Sequence, residues 1–483
     1  MRRNALPLCL AILVVAVPCA QASQLHIGTA HTNITPDKPV ALAGQFRTRI
    51  ARTVNNPCTA TVLALESRDG DKVLDQAILV SCDLIAIRDG VQAKFRERVK
   101  GRLPGFPIRK LFLSATHTHT APVMREGRYT IPKQGVMQPT EFVEFLCGKL
   151  SDAVVAAWES RKPGGVSHTF GHAVVGCNRR VVYDNGRAQM YGSTARANFR
   201  CVEGYEDHGV DMLFFWDQAA KLKAIAINLA CPSQEVGGGS RIDADFWHEV
   251  RQTLYAKHSK DLKVVAWCGA AGDQSPRVMW NRPAEARMRR LRRISSKQEI
   301  ARRIVAAVDD TLAIAKKTIR TDLPLVHHVE DIKLPVRMVT DKELATAKAR
   351  YAALAKKKKP TPVDTLKKIR AKSVVDRYDT QKTQGHYTME LHVLRLGDVA
   401  IATNPFELFV DYGVQIKARS KAVQTFIIQL ACNSGMYLPT ARAVRGGSYS
   451  AEVVSNYVGP KGGKVLVNHT VKAIAALWPA KGK

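Results

Sequence analysis

The feature that most constrains the fold is an interleaving of short β-rich runs and helical stretches over residues 25–277. The clearest strand candidates are TATVLALES, AILVSCDLIAI, KLFLSATHTH, MLFFWD, KAIAINLAC and KVVAWC. Helices are indicated by GVQAKFRERVKGRL, TEFVEFLCGKLSDAVVAAWES and ADFWHEVRQTLYAKHS. Apolar strands that alternate with helices predict an α/β fold in which mixed β-sheets are flanked by helices.

Residues 281–380 depart from this pattern. Two long basic helices are predicted, roughly over 283–318 and 341–372, around a strand pair near LVHHVEDIKLPVRM. We interpret this stretch as a basic helical insertion or subdomain within a single domain over residues 23–483. The α/β pattern resumes from Leu391 with LHVLRLGDVAIATNP and TFIIQLAC.

The N-terminus has the composition of a secretory signal peptide. It begins MRR, continues with an apolar run over residues 5–17, and reaches AQA at residues 20–22. We predict cleavage near Ala22 and a secreted or periplasmic protein, with an uncleaved anchor as the alternative. No later segment approaches the roughly 20 apolar residues of a membrane-spanning helix, so the protein is not expected to be transmembrane.

The cysteines outside residues 1–22 are even in number, which permits disulfides in an oxidising compartment without fixing their pairing. They are Cys58, Cys82, Cys147, Cys177, Cys201, Cys231, Cys268 and Cys432. None forms a CxxC motif, so nothing supports a zinc ribbon or a thioredoxin-like protein.

The chain is strongly basic, with 73 basic and 42 acidic residues and a net charge of +31. The excess is concentrated in RMRRLRR at 287–293 and KKKK at 356–359. Such a field attracts anions, so an anionic envelope lipid or polysaccharide is a candidate partner. The alternative is a solvated basic face without a partner. Export and the lack of a recognisable motif argue against nucleic acid.

Polar or sulfur-bearing clusters follow four of the predicted strands. They are CD at 82–83, HTH at 117–119, CPSQ at 231–234 and CNS at 432–434. In α/β sheets, functional sites are built at the carboxyl ends of the strands. We therefore expect these four clusters to converge.

The histidine pair is the first candidate for chemistry. In LFLSATHTHT, alternate positions of an extended strand share one face, which predicts that His117 and His119 point the same way. Two imidazoles so close repel when both are protonated, so at least one is expected to be neutral and available as a metal ligand or a base. The alternative is two structural histidines with ordinary hydrogen bonds.

Three further segments hold candidates. Asp273 in AGDQSP is placed to orient Ser275 or a histidine, unless the segment is only a tight turn. Glu407 in NPFELF is flanked by apolar residues, where burial favours a cation partner, or it is an exposed glutamate at a helix start. Tyr437 and Tyr449 lie in a loop rich in Gly, Ser and Asn, where tyrosines bind a metal, donate to an oxyanion, or cap an apolar edge.

Taken in order, seven segments resemble the neutral/alkaline (non-lysosomal) ceramidase family over most of the chain. They are HIGTAHTNITPDKPVALAG, SATHTHTAP, GCNRR, AGDQSP, NPFELF, GMYLPT and SYSAE. The resemblance implies a ceramidase-like catalytic domain that binds Zn²⁺ and hydrolyses an amide of an N-acylated, lipid-like substrate with metal-activated water.

The resemblance also implies the zinc ligands. Three of them match His117, Glu407 and Tyr437. The family's second histidine ligand is expected after KAIAINLA, where this chain has CPSQ. Cys231 is the replacement we favour, because thiolate is a good zinc ligand. The alternative is His248, with Cys231 in a disulfide to Cys268.

The remaining roles follow from the same resemblance. His119 transfers the proton to the leaving amine, and Tyr449 stabilises the developing oxyanion. Asp83 is expected to orient a histidine ligand from behind. The other catalytic positions carried over are Ser275, Arg179 and Asp273.

The chain departs from the family at its C-terminal end. It stops soon after SNYVGPKGGKVLVNHTVKAI, which leaves no room for the family's C-terminal immunoglobulin-like domain. We therefore expect a substrate that need not be ceramide. The alternatives are an esterase or other acyl hydrolase on the same site, and a non-catalytic envelope protein that binds anionic polymer or lipid.

Overall fold

The structure is a computed structural model that describes residues 23–88 and 90–478. The predicted signal peptide at 1–22 lies outside the described residues. The helices are α1 Val91–Lys100, α2 Pro139–Glu159, α3 Phe246–Lys257, α4 Arg282–Arg292, α5 Ser296–Lys317, α6 Asp341–Ala355, α7 Pro362–Thr380, α8 Val410–Arg419, α9 Ala441–Gly446 and α10 Pro460–Ala476. Two 3₁₀ turns cover Ile108–Lys110 and Val453–Ser455.

The strands follow the same order along the chain. They are β1 Gln24–Asn33, β2 Val40–Ala41, β3 Ile50–Ala51, β4 Thr59–Asp69, β5 Lys72–Cys82, β6 Leu111–Ala115, β7 Lys162–His172, β8 Cys177–Asn178, β9 Arg180–Tyr183, β10 Ala188–Met190, β11 Phe199–Val202, β12 Gly209–Asp217, β13 Leu222–Leu229, β14 Lys263–Cys268, β15 Gln274–Ser275, β16 Leu325–Pro335, β17 His386–Leu396, β18 Val399–Thr403, β19 Glu407–Leu408, β20 Gln424–Ile428 and β21 Tyr437–Leu438.

Two mixed sheets form the centre of the molecule. The larger has the strand order β14-β13-β12-β7-β1-β4-β5-β6, and the smaller has the order β16-β17-β18-β20. Three neighbouring pairs are parallel, β5 with β6, β13 with β14, and β18 with β20. The other neighbours in these two sheets are antiparallel. The predicted class, mixed sheets flanked by helices, is confirmed.

The two sheets pack face to face through an apolar layer. Leu63, Phe112 and Trp267 contribute to this layer from the larger sheet, and Leu394 and Phe426 from the smaller one. The rings of Trp267 and Phe426 meet edge to face with centroids 6.0 Å apart. Each such side chain contributes about 1.5–3 kcal/mol on burial, so this layer fixes one sheet against the other.

Helices cover the outer faces of both sheets. On the larger sheet, α1 and α2 pack over the end that contains β4 and β6, and α3 and α5 pack over the end that contains β12 and β13. On the smaller sheet, α8 and α10 form the outer layer. The result is an α/β/β/α arrangement. Within the described residues, no helix combines the length and apolar character needed to cross a membrane.

The basic stretch at 281–380 differs from its prediction in two ways. Each expected long helix is divided: Arg293, in the left-handed region at φ 55°, separates α4 from α5, and residues 356–361, which include Pro360, separate α6 from α7. The expected strand pair is the single strand β16, whose partner β17 follows the stretch. Because α5 packs on β7, only α6 and α7 form a separate helical pair.

The carboxyl ends of the three parallel pairs open towards one region. Thr116, after β6, donates its N–H to Cys82 at the end of β5 (3.0 Å). Ser233, after β13, donates to the Thr116 carbonyl (3.1 Å), and Cys432, after β20, donates to Leu113 (2.9 Å). The four polar clusters therefore lie together, as their positions at strand ends predicted.

Candidate active site

His117 presents a buried ring nitrogen that lacks a hydrogen-bond partner among the described residues. Its Nδ1 donates to the carbonyl of Ile85 at 2.5 Å. The other ring nitrogen, Nε2, is buried and makes no hydrogen bond to a described residue. Oε2 of Glu407 lies 3.3 Å from it, within ion-pair distance. A buried imidazole nitrogen without a hydrogen bond, beside a carboxylate, is an environment that suits a bound cation.

The reason for the proximity of the two histidines differs from the sequence prediction. Strand β6 ends at Ala115, and His117 has a φ of 69°, so the pair does not continue an extended strand. The segment that contains His117 turns and packs against the residues that follow β5. There the N–H groups of His117 and Thr118 both donate to the Leu84 carbonyl. The two rings still meet, with centroids 5.0 Å apart and an interplanar angle of 76°.

Glu407 is placed beside Tyr437 by a short parallel pair. In this pair Glu407 lies opposite Tyr437, and its N–H donates to Met436 at 2.8 Å. Gly272 passes close behind, and a Cβ at that position would lie 2.2 Å from the Glu407 carbonyl oxygen. Glycine at 272 is therefore required by the close approach of two backbones.

The protonation states of Glu407, Tyr437 and His119 follow from burial and from neighbouring charges. Burial raises the pKa of Glu407, but the neighbouring His117, Tyr437 and Arg179 outweigh it, so the net shift is downward. Burial raises the pKa of Tyr437 well above its usual value. Burial, followed by His117 and Arg179, lowers the pKa of His119. The site therefore holds a carboxylate, a neutral imidazole at His119 and a neutral phenol.

Arg179 is buried and connects several loops of the site. Its Nη1 donates to Tyr191 at 3.0 Å and to Oε1 of Gln234 at 3.1 Å. Its Nη2 donates to the Gly272 carbonyl at 2.9 Å and reaches the Tyr437 hydroxyl at 3.4 Å. Because the guanidinium has a rigid planar fork, these contacts fix the relative positions of four segments.

Gln234 connects Arg179 to the second histidine. Its Nε2 lies 2.9 Å from Nε2 of His119, and as an amide it donates that bond. Arg49 donates to the His119 carbonyl at 2.6 Å, and Gly44, at φ 96°, packs so closely that a Cβ would lie 2.5 Å from the imidazole. His119 is therefore held from both its ring and its backbone.

Ser275 and Asp273 occupy the loop after β14. The Ser275 hydroxyl accepts from the hydroxyl of Tyr191 at 3.3 Å and from the N–H of Arg277 at 3.1 Å. Asp273 accepts from the Asn178 amide at 3.1 Å and from the N–H of Val410 at 2.9 Å. Burial raises the pKa of Asp273 to about 6. The described bonds of Asp273 thus join its loop to the start of α8, and they orient neither Ser275 nor a histidine.

The structure does not bring the favoured fourth ligand to His117 and Glu407. Cys231 is buried in the apolar cluster under α3, and its thiol contacts the Pro232 carbonyl at 3.6 Å. Among the described residues, no group of metal-ligand atoms within 4.8 Å of one another contains the Cys231 sulfur together with His117 and Glu407. The eight described cysteines carry free thiols, so Cys231 and Cys268 form no disulfide.

His248 and Asp83 also form no group of ligand atoms within 4.8 Å with His117 and Glu407 in the described part of the chain. His248 is half-buried on α3, and the charges that affect it are Glu249, Arg251, Lys297 and Asp243. Asp83 pairs with Arg251 at 2.7 Å and accepts from Thr116 at 3.3 Å. Asp83 therefore supports the residue before His117, and the ring of His117 is oriented by Ile85.

Tyr449 completes the group at the wall of a cavity. Its ring lies 5.6 Å from Tyr437 and 5.5 Å from Phe46, edge to face in both cases. Burial raises the pKa of Tyr449, Glu407 raises it further, and Arg370 lowers it. Glu407, Tyr437 and Tyr449 line a cavity of about 280 Å³ whose wall also includes Arg88, Arg125, Arg128, Arg370 and Tyr387.

In the described part of the chain, one group of three His, Cys, Asp or Glu side chains has its ligand atoms within 4.8 Å of one another, and it includes neither His117 nor Glu407. It consists of Glu390, His392 and Cys432. Arg96 donates to both oxygens of Glu390, and His327 lies 2.9 Å from Nδ1 of His392. Since the carboxylate and both nitrogens of His392 already have partners, we interpret this group as a buried hydrogen-bond network.

Three contributors to the site were missed from the sequence. Gln234, which bonds His119, lies in the CPSQ cluster, where the neighbouring cysteine is the stronger signal because thiolate is the better metal ligand. Tyr191 was not selected, although its hydroxyl contacts both Arg179 and Ser275. Arg370 lies in the basic stretch, and no local pattern marks it among the other cations there.

Comparison with solved structures identifies the fold. The crystal structure of neutral ceramidase from Pseudomonas aeruginosa superimposes with a TM-score of 0.67 at 15% identity, over 95% of this chain and 76% of that one. A structure described as ceramidase complexed with C2 gives a TM-score of 0.66 at 14% identity, with the same coverage. The expected ceramidase-like fold is therefore confirmed. No protein-family model matches the sequence, and no curated protein matches it.

Proposed function

We propose that this protein is a zinc-dependent hydrolase that cleaves an amide bond of an N-acylated substrate. The observation that carries the proposal is the buried, unpartnered Nε2 of His117, 3.3 Å from Glu407. The ring of His119 packs edge to face on that of His117, and Tyr449 lines a cavity together with Glu407. The ceramidase fold supports the proposal, because this fold occurs in enzymes that are named for ceramide hydrolysis.

His117, Glu407 and Tyr437 are the residues that would hold the ion. One imidazole, one carboxylate and one phenol are a suitable donor set, and three protein ligands with one open position are typical of catalytic zinc. When bound, zinc supplies a Lewis acid and a water of lowered pKa. Cys231 and His248 are left out of this ligand set because of where their side chains lie.

The chain's own residues perform the proton transfers. Nε2 of His119, which accepts from Gln234 in the resting site, exchanges that bond for the attacking water, takes its proton and delivers it to the leaving amine. Tyr449 donates its hydroxyl hydrogen to the oxygen that gains negative charge. Arg179 positions Tyr437 and Gln234, and Ser275 contributes through Tyr191. Asp273 fixes the loop on which Ser275 lies.

The proposed enzyme is exported and has a single catalytic domain. The signal-peptide pattern at 1–22 supports export, with residues 23–483 as the catalytic domain and 281–380 as its basic elaboration. The chain's net charge of +31 suits it to anionic envelope lipid or polysaccharide, and nucleic acid is not an expected partner.

The test is hydrolysis of matched amides and esters by the purified protein. N-dodecanoylethanolamine and the matched ester, 2-hydroxyethyl dodecanoate, are assayed as prepared, after chelation, and after Zn²⁺ is restored. We expect amide cleavage that chelation abolishes and Zn²⁺ restores. Faster cleavage of the ester would favour an esterase. Full activity after chelation would overturn zinc dependence, and no cleavage of either compound with zinc bound would favour a binding protein.

A further inference from the structure

The cavity beside the candidate catalytic group is unusually rich in arginine. Its wall carries Arg88, Arg125, Arg128 and Arg370, and Glu407 is the acidic side chain among its described lining residues. A neutral substrate would supply no group that pairs with Arg128 or Arg370.

Arg128 and Arg370 are two arginines of the cavity wall without a described acidic partner. Both are half-buried, and their described hydrogen-bond partners are the neutral hydroxyls of Tyr129 at 3.4 Å and Ser455 at 2.9 Å. Arg370 also lies over the rings of Phe46 and Tyr449, at 5.6 and 5.4 Å from their centroids. No described carboxylate pairs with either arginine within 4.0 Å. A partly desolvated guanidinium without an anion is costly, and a carboxylate that binds both would relieve that cost.

A second cavity of about 500 Å³ continues from the first. It shares Arg370 and Tyr449 with the first cavity and runs between α6, α7 and the 3₁₀ turn Val453–Ser455. Most of the surface that it exposes is apolar and comes from residues such as Phe46, Ala347, Val363, Ala371, Val374 and Val453. It is also lined by the charged residues Glu343, Glu452, Lys342, Arg350 and Lys367. Apolar lining and a volume of several hundred Å³ suit a medium-length alkyl chain.

The two cavities meet at Tyr449. We infer that the substrate is an anionic N-acyl amide of the N-acyl amino acid class, with its carboxylate on Arg128 and Arg370 and its acyl chain in the α6–α7 groove. This inference deepens the proposed hydrolase function and rests on it. In that orientation the amide carbonyl lies beside the Tyr449 hydroxyl, between the acyl chain and the acid. Ceramide has no anionic group to occupy the arginines.

The inference is tested with two amides that differ in charge. N-dodecanoylglycine carries a carboxylate, and N-dodecanoylethanolamine has a neutral hydroxyl in its place. For the wild type we expect kcat/KM at least tenfold higher for the glycine compound, since hydrogen bonds to charged groups are among the stronger ones. Arg370→Gln and Arg128→Gln should each remove roughly tenfold from that preference, measured as the ratio of kcat/KM on the two amides.

Two variants control for charge and for folding. Lys372→Gln removes one positive charge from the exposed face of α7, where Lys372 pairs with Asp376, and should leave the preference unchanged. Arg370→Lys keeps the charge and should retain most of the preference. Equal wild-type rates on the two amides would overturn the inference, as would equal losses on both amides in the arginine variants.

Failure of the hydrolase proposal can be separated from failure of this inference. If neither amide is hydrolysed, calorimetric titration with N-dodecanoylglycine decides the question of recognition. Binding that weakens about tenfold in Arg370→Gln, but not in Lys372→Gln, would support the anionic subsite in a protein without that activity. Binding that is equal in the wild type and Arg370→Gln would overturn it.

Discussion

The Nε2 atom of His117 lies 3.3 Å from Oε2 of Glu407, although the two residues follow strands of different sheets. His117 follows β6 of the larger sheet, and Glu407 follows β18 of the smaller one. Their distance is therefore set by the apolar layer between the sheets, in which Phe112 and Ile401 both take part. A site divided in this way depends on the packing of the whole molecule.

Tyr449→Phe tests the role of the phenol. The substitution removes one hydroxyl and keeps the ring that packs on Tyr437 and Phe46. We expect kcat on an N-acyl amide to fall about 10²- to 10³-fold with KM little changed, because the lost hydrogen bond forms to the developing oxyanion. Zinc content, measured by mass spectrometry, should equal that of the wild type. A variant with normal kcat would remove Tyr449 from the mechanism.

Gly272→Ala tests the close approach of the loop after β14 to Glu407. The new methyl would lie 2.2 Å from the Glu407 carbonyl oxygen, so the two segments must separate. We expect destabilisation of about 1–3 kcal/mol by urea denaturation, with reduced activity, because overpacking forces a backbone shift. The control is Gly101→Ala, where a Cβ meets open space, and it should change stability by less than about 0.5 kcal/mol. Equal effects of the two variants would contradict this account.

Arg251→Met tests the buried pair beneath the histidine segment. Arg251 pairs with Asp83, and both side chains are at most 4% exposed, so the variant leaves a carboxylate buried without its cation. We expect a loss of about 3–5 kcal/mol in the free energy of unfolding. Lys372→Met breaks the exposed pair with Asp376 and should cost less than about 1 kcal/mol. A loss below 1 kcal/mol for Arg251→Met would show that the pair does not support the fold.

Glu299 on α5 predicts a specific pH dependence of stability. Hydrogen bonds from Arg302, together with the charge of Arg303, lower the pKa of Glu299 from 4.5 to about 2. A lowered pKa in the folded state contributes stability above about pH 4.5, which is lost as pH falls towards 2. The wild type should therefore exceed Glu299→Gln in free energy of unfolding at pH 6, and the difference should shrink towards pH 2. A constant difference across that range would contradict the prediction, and Glu97→Gln, at an exposed position of α1, is the control.

The sequence predicted local elements well and the geometry of the site only in part. Strands such as β4 and β14 are continuous apolar runs, and their burial between layers follows directly from that composition. The turn at His117 could not be predicted, because a φ of 69° there results from hydrogen bonds to Leu84, a residue on another segment. An extended strand was the better local prediction, and it was wrong.

The contributors that were missed depend on long-range packing. Cys231 was favoured as a zinc ligand by its thiolate chemistry, yet the turn after β13 directs the thiol into the core and the neighbouring Gln234 amide towards His119. Arg370 reaches Tyr449 only because α7 folds back over the 3₁₀ turn at Val453–Ser455. Neither relationship has a periodic or compositional signal within its own segment.

Zinc content and turnover, measured together in His117→Ala and His119→Ala, test the central claim most directly. The wild type should bind one zinc per chain and hydrolyse an N-acyl amide. His117→Ala should lose both zinc and activity, because Nε2 of His117 is the unpartnered ligand atom. His119→Ala should keep zinc and lose turnover. Retention of zinc and activity in His117→Ala would contradict the account, and loss of zinc in His119→Ala alone would mean that the two histidines have the opposite roles.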